Sequence, residues 1–267
     1  MRLRGRPFRT SAAVVAILLA AAAGALAQRL RGGGSGGFAS AEVLPNPTYD
    51  GRFTFVRLRY GAPTVYVSQQ VPWSHDYPTG EQHFMKILNE LSYLNPRTDE
   101  SSIFGLSDAE LFKHPVAYLC EPGAWTMSDR EADTFRQYLL KGGFLIVDDF
   151  RYFHWDNFET QMRRVLPEAR FVDLDESHPI FHAFFEIDSL DTIPNYYDQQ
   201  YNFNGGRPIF RGIFEDNDPT KRLMVIVNYN TDISEYWEWS DTGFKPIDES
   251  NEAYKIGVNY IMYGMTH

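Results

Sequence analysis

A single cysteine, Cys120, occurs in the 267 residues, which excludes any disulfide within the chain. Long apolar runs are equally scarce. The best candidate, residues 12–23, is shorter than the ~20 residues that a membrane-spanning helix needs. Positive charge is in deficit: 25 Lys and Arg face 35 Asp and Glu, for a formal net charge of −10. That balance disfavours a nucleic-acid partner. No glycine-rich phosphate loop occurs, so no nucleotide cofactor is expected.

The first 27 residues hold a positive start at Arg2, Arg4, Arg6 and Arg9. The short apolar run follows, and then the small-x-small triplet Ala25-Leu26-Ala27. This is the pattern of a signal peptide cleaved before Gln28. An exported protein, periplasmic or extracellular, is the expectation, with no spanning segment after signal removal. The segment has four arginines and no acid, so its loss would take the net charge from −10 to −14. Residues 28–50 include Gly32, Gly33, Gly34, Gly36 and Gly37 and read as a flexible tether. Gly33 to Gly37 spells G-x-S-x-G, but the strand and helix that a nucleophile elbow requires do not flank it.

From residue 51 to 267 the pattern is that of one α/β domain. Strands are expected at 53–59, 65–67, 116–120, 144–147 and 171–174. Residues 208–214 and 223–228 suggest an antiparallel pair closing on the loop at Asp216 to Pro219. A helix is expected over 81–94, with Thr79 and Gln82 as its capping box and Asn95-Pro96 as its stop. Ser128 and Glu131 cap a second helix that ends at Gly142-Gly143. Further helices are expected at 158–166 and 249–265. On the last of these, Gly257 and Gly264 suggest close approach to the sheet. Strands alternating with helices predict a mostly parallel sheet covered on both faces, with an antiparallel C-terminal extension.

The segment Lys141-Gly-Gly-Phe-Leu-Ile-Val-Asp-Asp-Phe150 ends a helix, runs an apolar strand and finishes on Asp148 and Asp149. In parallel α/β sheets, sites collect beyond the carboxyl ends of strands. The two aspartates are therefore candidates for holding a divalent cation or for general-base chemistry, or else for capping backbone N–H groups. Glu121 follows the neighbouring strand and would share their crevice, and His154 is a weaker candidate nearby. Arg57 and Arg59 share one strand face. They could clamp an anion, although pairing with Glu121 and Asp149 is the preferred expectation. His178-Pro179 reads as a turn held by the imidazole, with ligand binding as the alternative, and Cys120 as a small buried hydrophobe. Aromatics make up 15% of the chain. Trp73, Tyr77, Trp155, Tyr196, Tyr201, Trp237 and Trp239 fall in segments expected to be loops, beside Asp76, Asn228, Asp232 and Glu238. Such rings suit stacking on a glycan, gripping a peptide or meeting a protein partner.

Several segments together resemble a bacterial family, domain of unknown function 4159. They are residues 53–60, Trp73 with Asp76-Tyr-Pro78, Glu121-Pro-Gly123, residues 138–150, residues 157–165, His178-Pro-Ile-Phe181, Trp237-Glu-Trp239 and Gly257 to Tyr263. The resemblance implies a flavodoxin-like, class I glutamine-amidotransferase-like layered domain. It does not imply glutamine hydrolysis, because Asp148-Asp149 stands where such an enzyme carries its nucleophilic thiol. The sequence thus favours a ligand- or partner-binding component of a cell-envelope system. The alternative is a metal-assisted periplasmic hydrolase acting on a glycan or peptide.

Overall fold

The computed structural model describes residues 43–61, 71–194, 197–198, 203–204 and 206–267. The signal segment, most of the tether, the strand expected at 65–67, Tyr196 and Tyr201 lie outside the described residues. Nine strands are present among these residues: β1 Val56–Arg59, β2 Ser102–Gly105, β3 Val116–Cys120, β4 Phe144–Asp148, β5 Val172–Asp173, β6 Tyr197–Asp198, β7 Phe203–Asn204, β8 Ile209–Phe214 and β9 Leu223–Tyr229. Strands β6 and β7 form a separate antiparallel pair. The other seven form one sheet in the order β2-β1-β3-β4-β9-β8-β5.

Strands β2, β1, β3, β4 and β9 run parallel. β8 is antiparallel to β9, and β5 to β8. This is a layered α/β domain with a mostly parallel sheet and an antiparallel edge. The hairpin partner β9 is itself part of the parallel core, placed beside β4.

The central strands are largely apolar because both faces are covered. All five residues of β3 are buried. Val116, Tyr118 and Cys120 join one core cluster, and Ala117 and Leu119 the other. Five helices cover these faces: α1 Thr79–Leu91, α2 Asp129–Leu140, α3 His154–Val165, α4 Ile233–Glu238 and α5 Ile247–Thr266. Ala132, Phe135 and Leu139 of α2 pack with Phe158, Met162 and Val165 of α3 on one face. Phe84, Met85 and Leu88 of α1 pack with Trp237 of α4 and Ala253 and Ile256 of α5 on the other.

The expected capping box of α2 is present, with Ser128 Oγ accepting from Glu131 N–H and the Glu131 carboxylate accepting from Ser128 N–H. The Thr79–Gln82 box of α1 is not formed. That helix begins at Thr79 itself, behind Pro78, without a side-chain cap. It also stops at Leu91, before Asn95-Pro96, because Ser92 turns extended (φ −136°, ψ 167°), with its hydroxyl donating to the Leu88 carbonyl. Helix α3 starts at His154, earlier than residue 158, since His154 N–H and Trp155 N–H already bond the Arg151 and Tyr152 carbonyls. Gly264 does bring α5 onto the sheet: a Cβ there would lie 2.7 Å from Phe144 and 2.8 Å from Val116. Gly257 instead lets two helices approach, with Trp237 at 2.7 Å and Phe84 at 3.0 Å from such a Cβ. Within the expected tether, Asn46 is tied to edge strand β2. Its side-chain amide donates to Ile103 O and accepts from Ile103 N–H, each at 2.8 Å.

Candidate functional site

Parallel strands deliver the loops that follow β1, β3, β4 and β9 to one edge of the sheet. Each of these loops carries a non-glycine residue with left-handed backbone: Asp76 (φ 63°), Glu121 (φ 45°), Asp149 (φ 59°) and Asn230 (φ 61°). Such conformations cost about 1–3 kcal/mol each and gather at functional sites. Here they aim carboxylates across the strand ends in place of continuing the ladder.

His75 sits at the centre of the cluster. Its Nδ1 lies 2.8 Å from Asp149 Oδ2 and 3.6 Å from Asp76 Oδ1. Cys120 Sγ is 3.5 Å from the same Asp149 oxygen. One donor atom from each of His75, Asp76, Cys120 and Asp149 falls within 4.8 Å of the others. Asp76 is 1% exposed, yet its Oδ1 has no hydrogen-bond partner. Its Oδ2 accepts from Ser234 Oγ at 2.5 Å.

Burial dominates the electrostatics. It pushes the Asp76 carboxyl up to about 7, with the Asp149 charge adding to it and His75 opposing it. Burial and then Asp149 push Glu121 up to about 8. Asp232 is raised well above the carboxylate range for the same two reasons. Burial also acts on Asp149, but the hydrogen bond and charge of His75 outweigh it and hold that carboxyl below its usual value. His75 is correspondingly held well into the protonated range: burial opposes this, and the bonds to Asp149 and Cys120 overcome it. Burial and the Asp149 charge raise the Cys120 thiol. The edge therefore carries more buried acid than the His75 imidazole neutralises. Protons or a divalent cation must make up the difference.

The expected site residues divide sharply. Asp148 and Asp149 are adjacent in the chain but face different partners. Asp148 is fully buried. It accepts from Asn228 Nδ2 at 3.1 Å and from the N–H groups of Ile233 and Ser234 at 2.9 and 3.2 Å, with the Tyr118 hydroxyl 3.1 Å away. Its carboxylate anchors the start of α4. Asn228, expected as a ligand contact, is a buried strand residue that bridges Asp148 and the Tyr260 hydroxyl.

Arg57 does not pair with Glu121 or Asp149. It is 1% exposed and bonds Glu81 Oε1 at 2.6 Å, and its Nη1 donates to the carbonyls of Trp73 and His75. Glu81 reaches it from the first turn of α1, a helix that the sequence does not link to β1. Arg59 is exposed at the strand end.

His154 opens α3 and packs on Gly123, where an added Cβ would meet its ring at 2.5 Å. It is not among the cation-donor residues around His75. His178 belongs to the opposite end of the sheet. Its Nδ1 accepts from Ile180 N–H, and its ring packs near Phe214 and Tyr263, so it holds a turn. The aromatic residues expected in loops are largely core. Trp73 and Tyr77 are buried. Trp237 lies within α4, stacked on Phe84 with centroids 4.3 Å apart, and donates to Ala253 O. Trp155 packs edge-on to Phe158, Phe171 and Tyr229 beneath Arg211. Trp239 is partly exposed against Phe244.

Two members of the cluster escape sequence reasoning. His75 has no motif, and Cys120 reads as a hydrophobe. Cys120 closes β3, level with Asp148 on β4, and a search of all strand ends includes it; His75 lies far along the loop after β1 and carries no local signal.

A family model described as Domain of unknown function (DUF4159) matches residues 54–265. The chain belongs to this family. Among curated proteins none matches it. His75, Asp76, Cys120 and Asp149 all lie within the matched span.

Proposed function

We propose that this chain is an exported, metal-assisted hydrolase whose centre is formed by His75, Asp76, Cys120 and Asp149, acting on an envelope glycan or peptide. The observation that carries this reading is the set of four donor atoms within 4.8 Å of one another, one of them on the buried Asp76, whose Oδ1 lacks a hydrogen bond. Imidazole, thiolate and carboxylate together suit Zn²⁺. A cation held there would activate water or polarise a carbonyl. The residues around it supply the rest. Glu121, which burial and the Asp149 charge push up, is the acid we assign to proton delivery to a leaving group.

The fate of the arginines also supports a catalytic reading. Arg57 is taken up by Glu81 and two carbonyls, so this arginine does not neutralise Asp149, Asp76 or Glu121. Export rests on the basic start, apolar run and Ala25-Leu26-Ala27 triplet. A second reading, a docking component without catalysis, is favoured by the exposed side chains of Phe153, Phe244 and Ile247.

The test is hydrolysis of peptidoglycan fragments by the purified chain, before and after chelation. Turnover that is lost with chelator, restored by zinc and absent in Asp149→Ala supports the reading. Metal-independent turnover, or no metal uptake, contradicts it.

A further inference from the structure

We propose that the same edge holds a second divalent cation, of the hard oxygen-seeking kind, and that Asp76 bridges the two. The inference rests on the metal reading above and extends it.

Asp76 belongs to two donor groups. One is the set with His75, Cys120 and Asp149. The other joins Asp76 to Glu235 and Glu238, again with donor atoms within 4.8 Å of one another. A carboxylate has two oxygens and can serve a cation on each side, as in two-metal hydrolytic sites. Asp76 is suited to that position. It is 1% exposed, its Oδ1 has no hydrogen bond, and its Oδ2 accepts from a neutral hydroxyl, Ser234 Oγ.

The second half of the site is placed independently of the first. Glu235 and Glu238 are three apart on α4, so they project from one side of the helix. The start of that helix is fixed twice. Asp148 accepts from Ile233 and Ser234 N–H, and Asp232 Oδ1 accepts from Glu235 N–H. Glu238 of α4 and Asp76 of the loop after β1 thus bring carboxylate oxygens together from two separate elements, a repulsion that a cation between them relieves. Lys245 reaches Glu235 Oε1 at 3.1 Å and neutralises one member of the group.

The two donor sets differ in chemistry. The first includes nitrogen and sulfur and selects a zinc-like ion. The second is all carboxylate and selects an ion such as Mn²⁺ or Mg²⁺. That difference allows the sites to be filled and read separately.

The experiment loads the full chain, stripped of metal, with one equivalent of Zn²⁺ and then titrates Mn²⁺, following free Mn²⁺ by electron paramagnetic resonance. The expected result is one further Mn²⁺ bound per chain. Glu238→Gln weakens Mn²⁺ on the order of 10–100-fold while leaving Zn²⁺ uptake in place, which also shows that the variant is folded. Cys120→Ser does the reverse, and Asp76→Asn weakens both. A zinc-loaded chain that takes up no Mn²⁺, or one whose Mn²⁺ binding is unchanged in Glu238→Gln, overturns the second site and leaves the first standing. A chain that takes up neither ion overturns both.

Discussion

His75 Nδ1 lies 2.8 Å from Asp149 Oδ2, although 74 positions separate them in the chain. This pair joins the loop after β1 to the end of β4, and it brings Cys120 Sγ, 3.5 Å from the same oxygen, into a polar cluster. A thiol placed there has a use that packing alone does not require. Loaded with Co²⁺ in place of zinc, the wild-type chain should show a thiolate-to-metal charge-transfer band in the near ultraviolet. Cys120→Ser should fold, bind Co²⁺ more weakly and lack the band. A wild-type spectrum without it would remove Cys120 from the ligand set.

The neighbours Asp148 and Asp149 should behave oppositely on mutation. Asp148→Ala leaves Asn228 Nδ2, the Ile233 and Ser234 N–H groups and the Tyr118 hydroxyl without a buried carboxylate partner. Each orphaned group costs about 1–3 kcal/mol, so a loss of about 3 kcal/mol or more in urea unfolding is expected. Asp149→Ala should cost less than Asp148→Ala, because the loss of the His75 pair is partly offset by relief of repulsion with Asp76, Glu121 and Asp232. It should abolish metal uptake.

Arg57 is a positioning residue. Its bond to Glu81 is wholly buried, and its Nη1 holds the carbonyls of Trp73 and His75. Arg57→Ala leaves the Glu81 charge buried and should cost about 3–5 kcal/mol. The double change Arg57→Met with Glu81→Met should recover much of the stability in chemical denaturation. It should not recover metal affinity, because the His75 loop still lacks its donor. Full recovery of both would show that the guanidinium does not position the loop.

Gly257→Ala sets helix propensity against packing. Alanine favours a helix interior by about 1 kcal/mol. The new Cβ, however, would sit 2.7 Å from Trp237 and 3.0 Å from Phe84, two stacked and buried rings. Overpacking of this kind costs about 1–3 kcal/mol. A net loss of stability is expected by thermal unfolding, and a gain would mean that the rings move apart without cost.

The elements legible in the sequence are those whose signals are local. Strands β3 and β4 are short apolar runs, and α2 is framed by its Ser128–Glu131 box and Gly142-Gly143. Helix α4 was missed because six residues are too few for a period, and its start is fixed by Asp148, 85 positions away, as much as by its own Asp232. The candidate site was legible in the same uneven way. Asp149 and Glu121 could be placed from the rule that sites lie beyond parallel strands. Arg57 was misassigned because its partner Glu81 comes from the opening turn of α1, and no strand-face argument names that residue. His75 was missed because its meaning depends on Asp149, a contact that exists only after the sheet has assembled.

The central claim is that the four donors around His75 hold a cation. The most direct measurement is thermal unfolding of the metal-stripped chain with and without Zn²⁺, for the wild type and Asp149→Ala side by side. A ligand that binds only the folded state raises its stability by about 2.7 kcal/mol at 100 times its dissociation constant. The account predicts a rise of several degrees for the wild type that saturates with bound metal and is absent in Asp149→Ala. An unchanged melting temperature in both proteins, with no zinc retained, would contradict it.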